Sequence, residues 1–413
     1  MLNFSSVLTL FVLFFVSPNV SAIDKVFPGN AKDVDIIIKS SVSDDDDIIC
    51  KSLVQTQGYA CEEHKVTTKD GYILSVQRIP VGRSGKTASK PPVLLQHGLL
   101  VDAAAWLLNT PDESLGFILA DNGFDVWLAN TRGTKYSRGH TSLSSNDSAY
   151  WEWSWDELVQ YDLSALVQYV QYKTGQKLHY VGHSLGTLIA LAAFSEQGKL
   201  INMFKSAALL SPIAHLNQIP SQLTKEAAQL HIAEELYSLG YRQFPPGWDV
   251  LGHILEKICN EQGTNCSELM TALTGPNCCI NSSRAGELLK HEPQPTATKN
   301  IIHLSQIRTG TIAMYDYGSE DEKKEYYGQS DPPAYNMKDI PKELPLFLGY
   351  GGQDMLADAN DVKALLNDLK DHDNGELVEV YSEEYAHADF VLGVNASQVV
   401  YDPMISFFDN HSS

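Results

Sequence analysis

The chain has 413 residues, 43% of them hydrophobic and 20% charged, which provides for a large core and excludes disorder over most of its length. Its 30 Lys+Arg stand against 51 Asp+Glu. The resulting net charge of −21 argues against nucleic acid as a partner and, at neutral pH, against anionic membrane surfaces.

The first 22 residues contain no Lys, Arg, Asp or Glu. Within them Val7–Val16 (VLTLFVLFFV) is an apolar run too short to span a bilayer, and Val20-Ser21-Ala22 supplies small residues suited to cleavage. We expect a secretory signal peptide over residues 1–22. An acidic leader over 23–47 ends in Ser43-Asp44-Asp45-Asp46-Asp47, a self-repelling run without the Gly and spaced acids of a calcium loop. No later run reaches the length and apolarity of a membrane helix.

From Glu63 the pattern is strand-like. Glu63–Thr67 and Tyr72–Ile79 flank the turn Lys69-Asp70-Gly71 and should pair as a hairpin. Short apolar runs follow at Pro92–Gln96, Phe124–Ala129, Leu178–Val181, Ala207–Leu210, Leu346–Tyr350 and Leu377–Tyr381. Helical stretches are expected over Trp155–Thr174, Leu185–Gln197, Ala359–Leu369 and Asp402–Phe408. Near-continuous apolar strands alternating with helices predict an α/β fold with a mostly parallel sheet buried on both faces.

Residues 213–340 break the alternation. Trp248, Leu251, Leu255 and Ile258 share a helical face, as do Leu223, Ala227 and Leu230. The expected organisation is therefore a core over 48–212 and 341–413, interrupted by a helical cap or lid insertion over 213–340. Cys50, Cys61, Cys259, Cys266, Cys278 and Cys279 form an even set without a CxxC pair, which points to disulfides in an oxidising compartment rather than to zinc. Cys50–Cys61 and Cys259–Cys266 are suitable local pairs, among several connectivities. Sequons at Asn146, Asn265, Asn281, Asn395 and Asn410 fit a glycosylated, secreted chain.

The chemistry centres on Gly182-His183-Ser184-Leu185-Gly186, a G-x-S-x-G between an apolar strand and the helical run TLIALAAF. That context predicts a nucleophile elbow, where flanking glycines let neighbouring backbone approach a strained serine turn. A serine hydroxyl needs a base, and the base an orienting acid, which in this arrangement follow it in the order Asp, His. Asp354 follows the strand LPLFLGY, and His387 follows LVEVY, both beyond strand carboxyl ends where ligands gather in open α/β sheets.

Asp358 and Asp361 fall in the next helix and are assigned to its solvated face. His97 and His183 precede the acid in chain order, while His372 and His411 are assigned to an exposed loop and a disordered tail. The backbone N–H groups of Leu99, in His97-Gly98-Leu99-Leu100, and of Leu185 are the expected oxyanion donors. This chemistry calls for no metal and no organic cofactor.

These residues, with LLQHGLL, ESLGFILADNGFDVWLANTRGT, VGHSLGT, RTGTIAMYDYG, YGGQDMLAD and YAHADFVLG, resemble the acid lipase family, which includes gastric and lysosomal acid lipases and plant counterparts. The resemblance runs from about Cys50 to Phe408, and Asn277-Cys278-Cys279 is most like the plant secreted or vacuolar members. It implies an α/β-hydrolase fold, hydrolysis of triacylglycerols or steryl esters, a Ser184, Asp354, His387 triad and a cap over the site. Leu185 stands where many members carry Gln. That position contributes its N–H, so the departure bears on the pocket mouth rather than on catalysis.

The expected partner is a lipid ester at a lipid–water interface. The expected location is outside the cell, or an acidic vacuole- or lysosome-like compartment on the secretory route. An esterase for small soluble esters and an acyltransferase using the same intermediate are the alternatives. In acid, protonation of the 13 histidines removes much of the excess negative charge and so weakens repulsion from fatty-acid-coated lipid. His387 must nevertheless stay neutral to act as a base, which limits how acidic the optimum can be.

Overall fold

The computed structural model describes residues 49–196, 198–218, 231–245, 271, 273–281, 284, 288, 290–307, 312–372 and 375–412. The signal peptide, the leader, the Cys259–Cys266 pair, the Asn265 sequon and the helical faces within 223–230 and 248–258 lie outside the described residues.

β1 (Glu62–Thr67) and β2 (Tyr72–Ile79) form the expected antiparallel hairpin, with Gly71 at φ +101° in the turn. β3 (Pro92–Gln96), β4 (Asp125–Ala129), β6 (Leu178–His183), β7 (Phe204–Leu210), β10 (Leu346–Gly351) and β11 (Leu377–Ser382) are the predicted apolar runs, each within a few residues of its expected bounds. The sheet order is β1-β2-β4-β3-β6-β7-β10-β11, with β5 (Gly139–His140) alongside β2. From β4 to β11 all neighbours are parallel. In chain order between β7 and β10 comes a separate two-stranded ribbon, β8 (Gln243–Phe244) with β9 (Thr296–Ala297).

Because successive strand side chains point to opposite faces, the sheet divides the core in two. Leu94, Trp127, Tyr180, Leu209 and Leu348 face α2 (Ser164–Thr174) and α3 (Leu185–Ser195). Val93, Leu95, Val126, Val181 and Phe347 lie in the other cluster with α1 (Leu115–Asp121) and the C-terminal helix. Full burial of each such side chain is worth roughly 1.5–3 kcal/mol. A short turn at Trp155–Glu157 and a π-helical stretch at Leu158–Leu163 lead into α2, so the expected Trp155–Thr174 helix is present but not uniform.

Between β7 and β10 the chain contributes α4 (Ile232–Ser238), α5 (Thr298–Gln306) and α6 (Glu320–Tyr327). α7 (Ala359–Asp368), a short α8 (Asp389–Leu392) and α9 (Asp402–Asn410) complete the chain.

Two expectations need correction. The residues after α9 are anchored rather than disordered: His411 Nδ1 donates to the Phe407 carbonyl at 2.8 Å, and Lys205 Nζ donates to the Ser412 carbonyl at 2.8 Å. His372 is half-buried in the turn that closes α7, where its N–H donates to the Leu369 carbonyl, and not on an exposed loop.

Candidate active site

The carboxyl edge of the parallel sheet gathers the sequence-predicted residues. Ser184 follows β6 directly, with φ +55° and ψ −119°, a conformation that a non-glycine residue adopts only when its surroundings impose it. Three bonds impose it. The Ser184 N–H donates to the Leu210 carbonyl at 3.1 Å, Thr187 Oγ1 donates to the Ser184 carbonyl at 2.6 Å, and Tyr180 Oη donates to the Gly186 carbonyl at 2.7 Å. A Cβ on Gly182 would meet the Gly186 carbonyl at 2.8 Å, and one on Gly186 would meet the Gln96 carbonyl at 2.5 Å. Both glycines are therefore required by close backbone approach. Ser184 itself is half-buried and so reachable.

Asp354 and His387 meet at the exits of β10 and β11. His387 Nδ1 donates to Asp354 Oδ2 at 2.9 Å and Oδ1 at 3.0 Å, leaving Nε2 as the lone-pair nitrogen. Asp354 Oδ1 also accepts the N–H groups of Leu356 and Ala357 at 2.8 Å each. The carboxylate side chain is 0% exposed and the imidazole 5%, so water does not compete for this pair. The Gln353 N–H donates to the Tyr385 carbonyl at 3.0 Å and locks the two strand exits together.

His387 is joined to the Ser184 turn through His183. Its Nε2 donates to the His387 carbonyl at 2.9 Å, and the two rings lie with centroids 4.8 Å apart. Burial, then the His387 charge, push the His183 imidazole down to about 3, so it stays a neutral spacer.

The loop after β3 runs along the serine. A Cβ on Gly98 would lie 2.9 Å from Ser184 Cβ. His97 Nε2 accepts the Thr131 N–H at 3.0 Å and Nδ1 donates to the Gly98 carbonyl at 2.8 Å, pinning the loop start. Burial pushes His97 down to about 4 and keeps it in that neutral tautomer. The Leu185 N–H belongs to the first turn of α3 and has no intrahelical acceptor, and among the described residues no acceptor engages the Leu99 N–H.

The structure corrects one assignment: Asp361 is not on a solvated face. It is buried against the segment after β7, where Oδ2 accepts the Gln218 N–H at 2.9 Å, and burial raises its pKa. Asp358 caps α7 by accepting the Asn360 N–H at 2.8 Å. Neither competes with Asp354 for His387.

Sequence reasoning missed the supports supplied by the segment 274–279. The Thr274 carbonyl accepts the N–H groups of both Met355 and His387, and Asn277 Oδ1 accepts the Ala388 N–H at 3.2 Å. Asp389 is fully buried and gathers the N–H groups of Ala386, Cys278 and Cys279. Cys278, Cys279 and Asp389 have the composition of a metal site, but the two sulfurs are joined to each other and the carboxylate is committed to three amides. Cys50–Cys61 is bonded as expected.

A hydroxyl on a strained turn, an imidazole oriented by a buried carboxylate, and free amides beside the hydroxyl have the chemistry of nucleophilic acyl transfer. Comparison with known proteins agrees. Residues 50–110 match the partial alpha/beta-hydrolase lipase region and residues 91–231 the alpha/beta hydrolase fold. The chain is 49% identical over 365 residues to triacylglycerol lipase 2 of Arabidopsis thaliana, covering 87% of each chain. It is 37% identical to human gastric triacylglycerol lipase, covering 84% of this chain and 88% of the relative. The chain belongs to the acid lipase family of α/β-hydrolases.

As a family member it is a carboxylic ester hydrolase of the lipase kind. The fold has a solved counterpart in a monoglyceride lipase variant from Saccharomyces cerevisiae, with a TM-score of 0.53 over 85% of this chain and 97% of that one, at 17% identity. Among the described residues no helix is long and apolar enough to cross a membrane.

Proposed function

We propose that this acid lipase hydrolyses triacylglycerols, with steryl esters as a second substrate, through an acyl-enzyme on Ser184. The observation that carries the reading is a serine held at positive φ, one residue after the histidine that grips His387, whose Nδ1 is committed to a buried carboxylate. Ser184 Oγ attacks the ester carbonyl as His387 Nε2 takes its proton, and Asp354 stabilises the imidazolium. The Leu99 and Leu185 amides hold the oxyanion. The alkoxide leaves with the proton from His387, and a water deprotonated by the same ring then releases the fatty acid.

The glyceride assignment is supported by relatives that bear that name. Residues 213–340 act as the cap, and exposed Leu239 and Tyr326 on it favour contact with lipid (63% and 61% exposed). The Cys50–Cys61 and Cys278–Cys279 bonds fit synthesis through the secretory route, with glycosylation at its sequons and delivery outside the cell or to an acidic compartment.

A panel of glycerides, steryl esters and short soluble esters, assayed on wild type and Ser184→Ala, tests the reading. Triglyceride hydrolysis that Ser184→Ala abolishes is expected. Hydrolysis retained by that variant overturns the mechanism, and turnover confined to short soluble esters overturns the substrate. Rates should rise more than proportionally as substrate passes its solubility limit.

A further inference from the structure

A buried carboxyl group outside the triad, that of Glu292, joins the chain between β7 and β10 to the loop after β3. Glu292 Oε1 accepts the N–H of Asp102 at 3.1 Å. Two residues further on, the Gln294 N–H donates to the Leu100 carbonyl at 2.8 Å, and Gln294 Oε1 accepts the Lys135 N–H at 2.8 Å. The segment therefore grips both ends of the stretch 100–102, which follows Leu99 directly, and is itself fastened to the loop after β4.

Leu100 is held at φ +60°, a strained conformation for leucine that persists only where its surroundings over-determine it. Glu292 and Gln294 supply those surroundings, being 6% and 1% exposed. On the other side Asp102 Oδ1 accepts the Ala104 N–H at 2.7 Å, and Asn130 Oδ1 accepts the Ala103 N–H at 3.2 Å.

The geometry points to Glu292 as a positioning residue for ester hydrolysis, holding the Leu99 amide in place from the inserted region and holding it best in acid. The inference rests on the oxyanion role proposed for Leu99. Among the described residues Glu292 Oε2 has no hydrogen-bond partner, so ionisation would leave a charged oxygen out of water.

Asp102 is the charged group that faces Glu292 from the loop. His291 precedes it on its own segment, and Lys135 meets that segment through its amide, on Gln294. Burial first, and the Asp102 charge second, push Glu292 well above the usual carboxyl range. A neutral Glu292 still offers its carbonyl oxygen to the Asp102 amide. An ionised one sets two like charges together in a dry site. The folded-state value lies above the unfolded one, so the grip is whole in acid and is lost as pH rises through the folded value.

Glu292→Gln keeps an acceptor for the Asp102 amide and cannot ionise. In the full-length enzyme on an emulsified triglyceride, this variant should match wild-type kcat in acid and extend the alkaline limb of the pH profile by about one unit. Asp102→Asn retains the Ala104 cap and should move the limb the same way. Glu292→Ala should lower kcat about tenfold with little change in KM, less than outright removal of an oxyanion donor.

A Glu292→Gln limb that superimposes on wild type, or unchanged kcat in Glu292→Ala, overturns the proposal. Should Glu292→Ala fail to fold, as its melting curve would show, the Glu292→Gln limb alone decides. Fluorophosphonate labelling of wild type separates the two readings. Labelled Ser184 with an unmoved limb sinks only the positioning role, and an unlabelled Ser184 sinks the triad.

Discussion

His183 Nε2 donates to the main-chain oxygen of His387 at 2.9 Å, so the residue before the proposed nucleophile holds the residue proposed to deprotonate it. The bond links β6 to the segment after β11, two parts of the chain that reach the same edge of the sheet by separate routes. It also explains a histidine inside the elbow that has no place in the acid–base order.

His183→Phe should keep the ring contact with His387 and the edge contact with Trp106 while removing the donor. We expect kcat to fall about tenfold with KM nearly unchanged, since a small displacement of the base is costly. Stability should fall by about 1 kcal/mol. Steady-state kinetics beside a urea titration would check both, and an unaltered kcat would show that the bond does not position His387.

Asp354→Asn preserves volume but offers an N–H₂ where His387 Nδ1–H now donates. The imidazole then takes the wrong tautomer or turns away, and kcat should drop by about 10⁴. The variant should still fold, because its Oδ1 can accept the Leu356 and Ala357 N–H groups. Wild-type-like activity in a folded Asp354→Asn would remove Asp354 from the mechanism.

Arg132 is fully buried between Asp162, at 2.6 Å, and Asp70, also at 2.6 Å, with Tyr72 under the guanidinium at 3.8 Å. It fixes the chain leaving β4 against the hairpin turn and the π-helical stretch. Arg132→Met would strand Asp162, whose pKa burial already raises, without its cation. A loss of about 3–5 kcal/mol in denaturant stability is expected. A loss below about 1 kcal/mol would show that the ion triad adds little.

Among the described residues, burial pushes His97 down to about 4 and His179, His183 and His303 down to about 3, holding these rings neutral. Their folded values lie below the unfolded value near 6.5. The stabilisation is therefore whole above that pH and is lost as pH falls towards the folded values. Each ring adds a slope of about 1.4 kcal/mol per pH unit in that window. His179→Phe keeps an aromatic ring against Phe124 and Phe408 and should flatten the fall in stability by that amount. Urea midpoints measured in steps across the window would show it, and an unchanged slope would refute it.

The strands were legible because runs such as PVLLQ and FDVWLA are buried on both faces and carry no alternation to confuse. The elbow was legible because its glycines and serine are dictated by backbone approach. α1 was not, since LGFILAD is a short helix with an internal glycine and no polar face to set a period. Asp361 was misread because helical phase locates a side chain on its own helix only, whereas its partner, Gln218, comes from 143 residues away. Thr274 holds Met355 and His387 through a main-chain oxygen, which no side-chain pattern announces.

The sheet order separates the two halves of the site by spectroscopy as well as by sequence. Five of the six tryptophans lie between Trp106 and Trp155, whereas Asp354 and His387 arrive with β10 and β11 at the far side of the sheet. Tryptophan fluorescence during refolding therefore reports the assembly of the β3–β4 side, and regained hydrolysis reports the docking of β10 and β11. A growing chain carries the Ser184 hydroxyl for some two hundred residues before His387, its proposed base, exists. Under the proposed mechanism, hydrolysis cannot begin until the last two strands have paired.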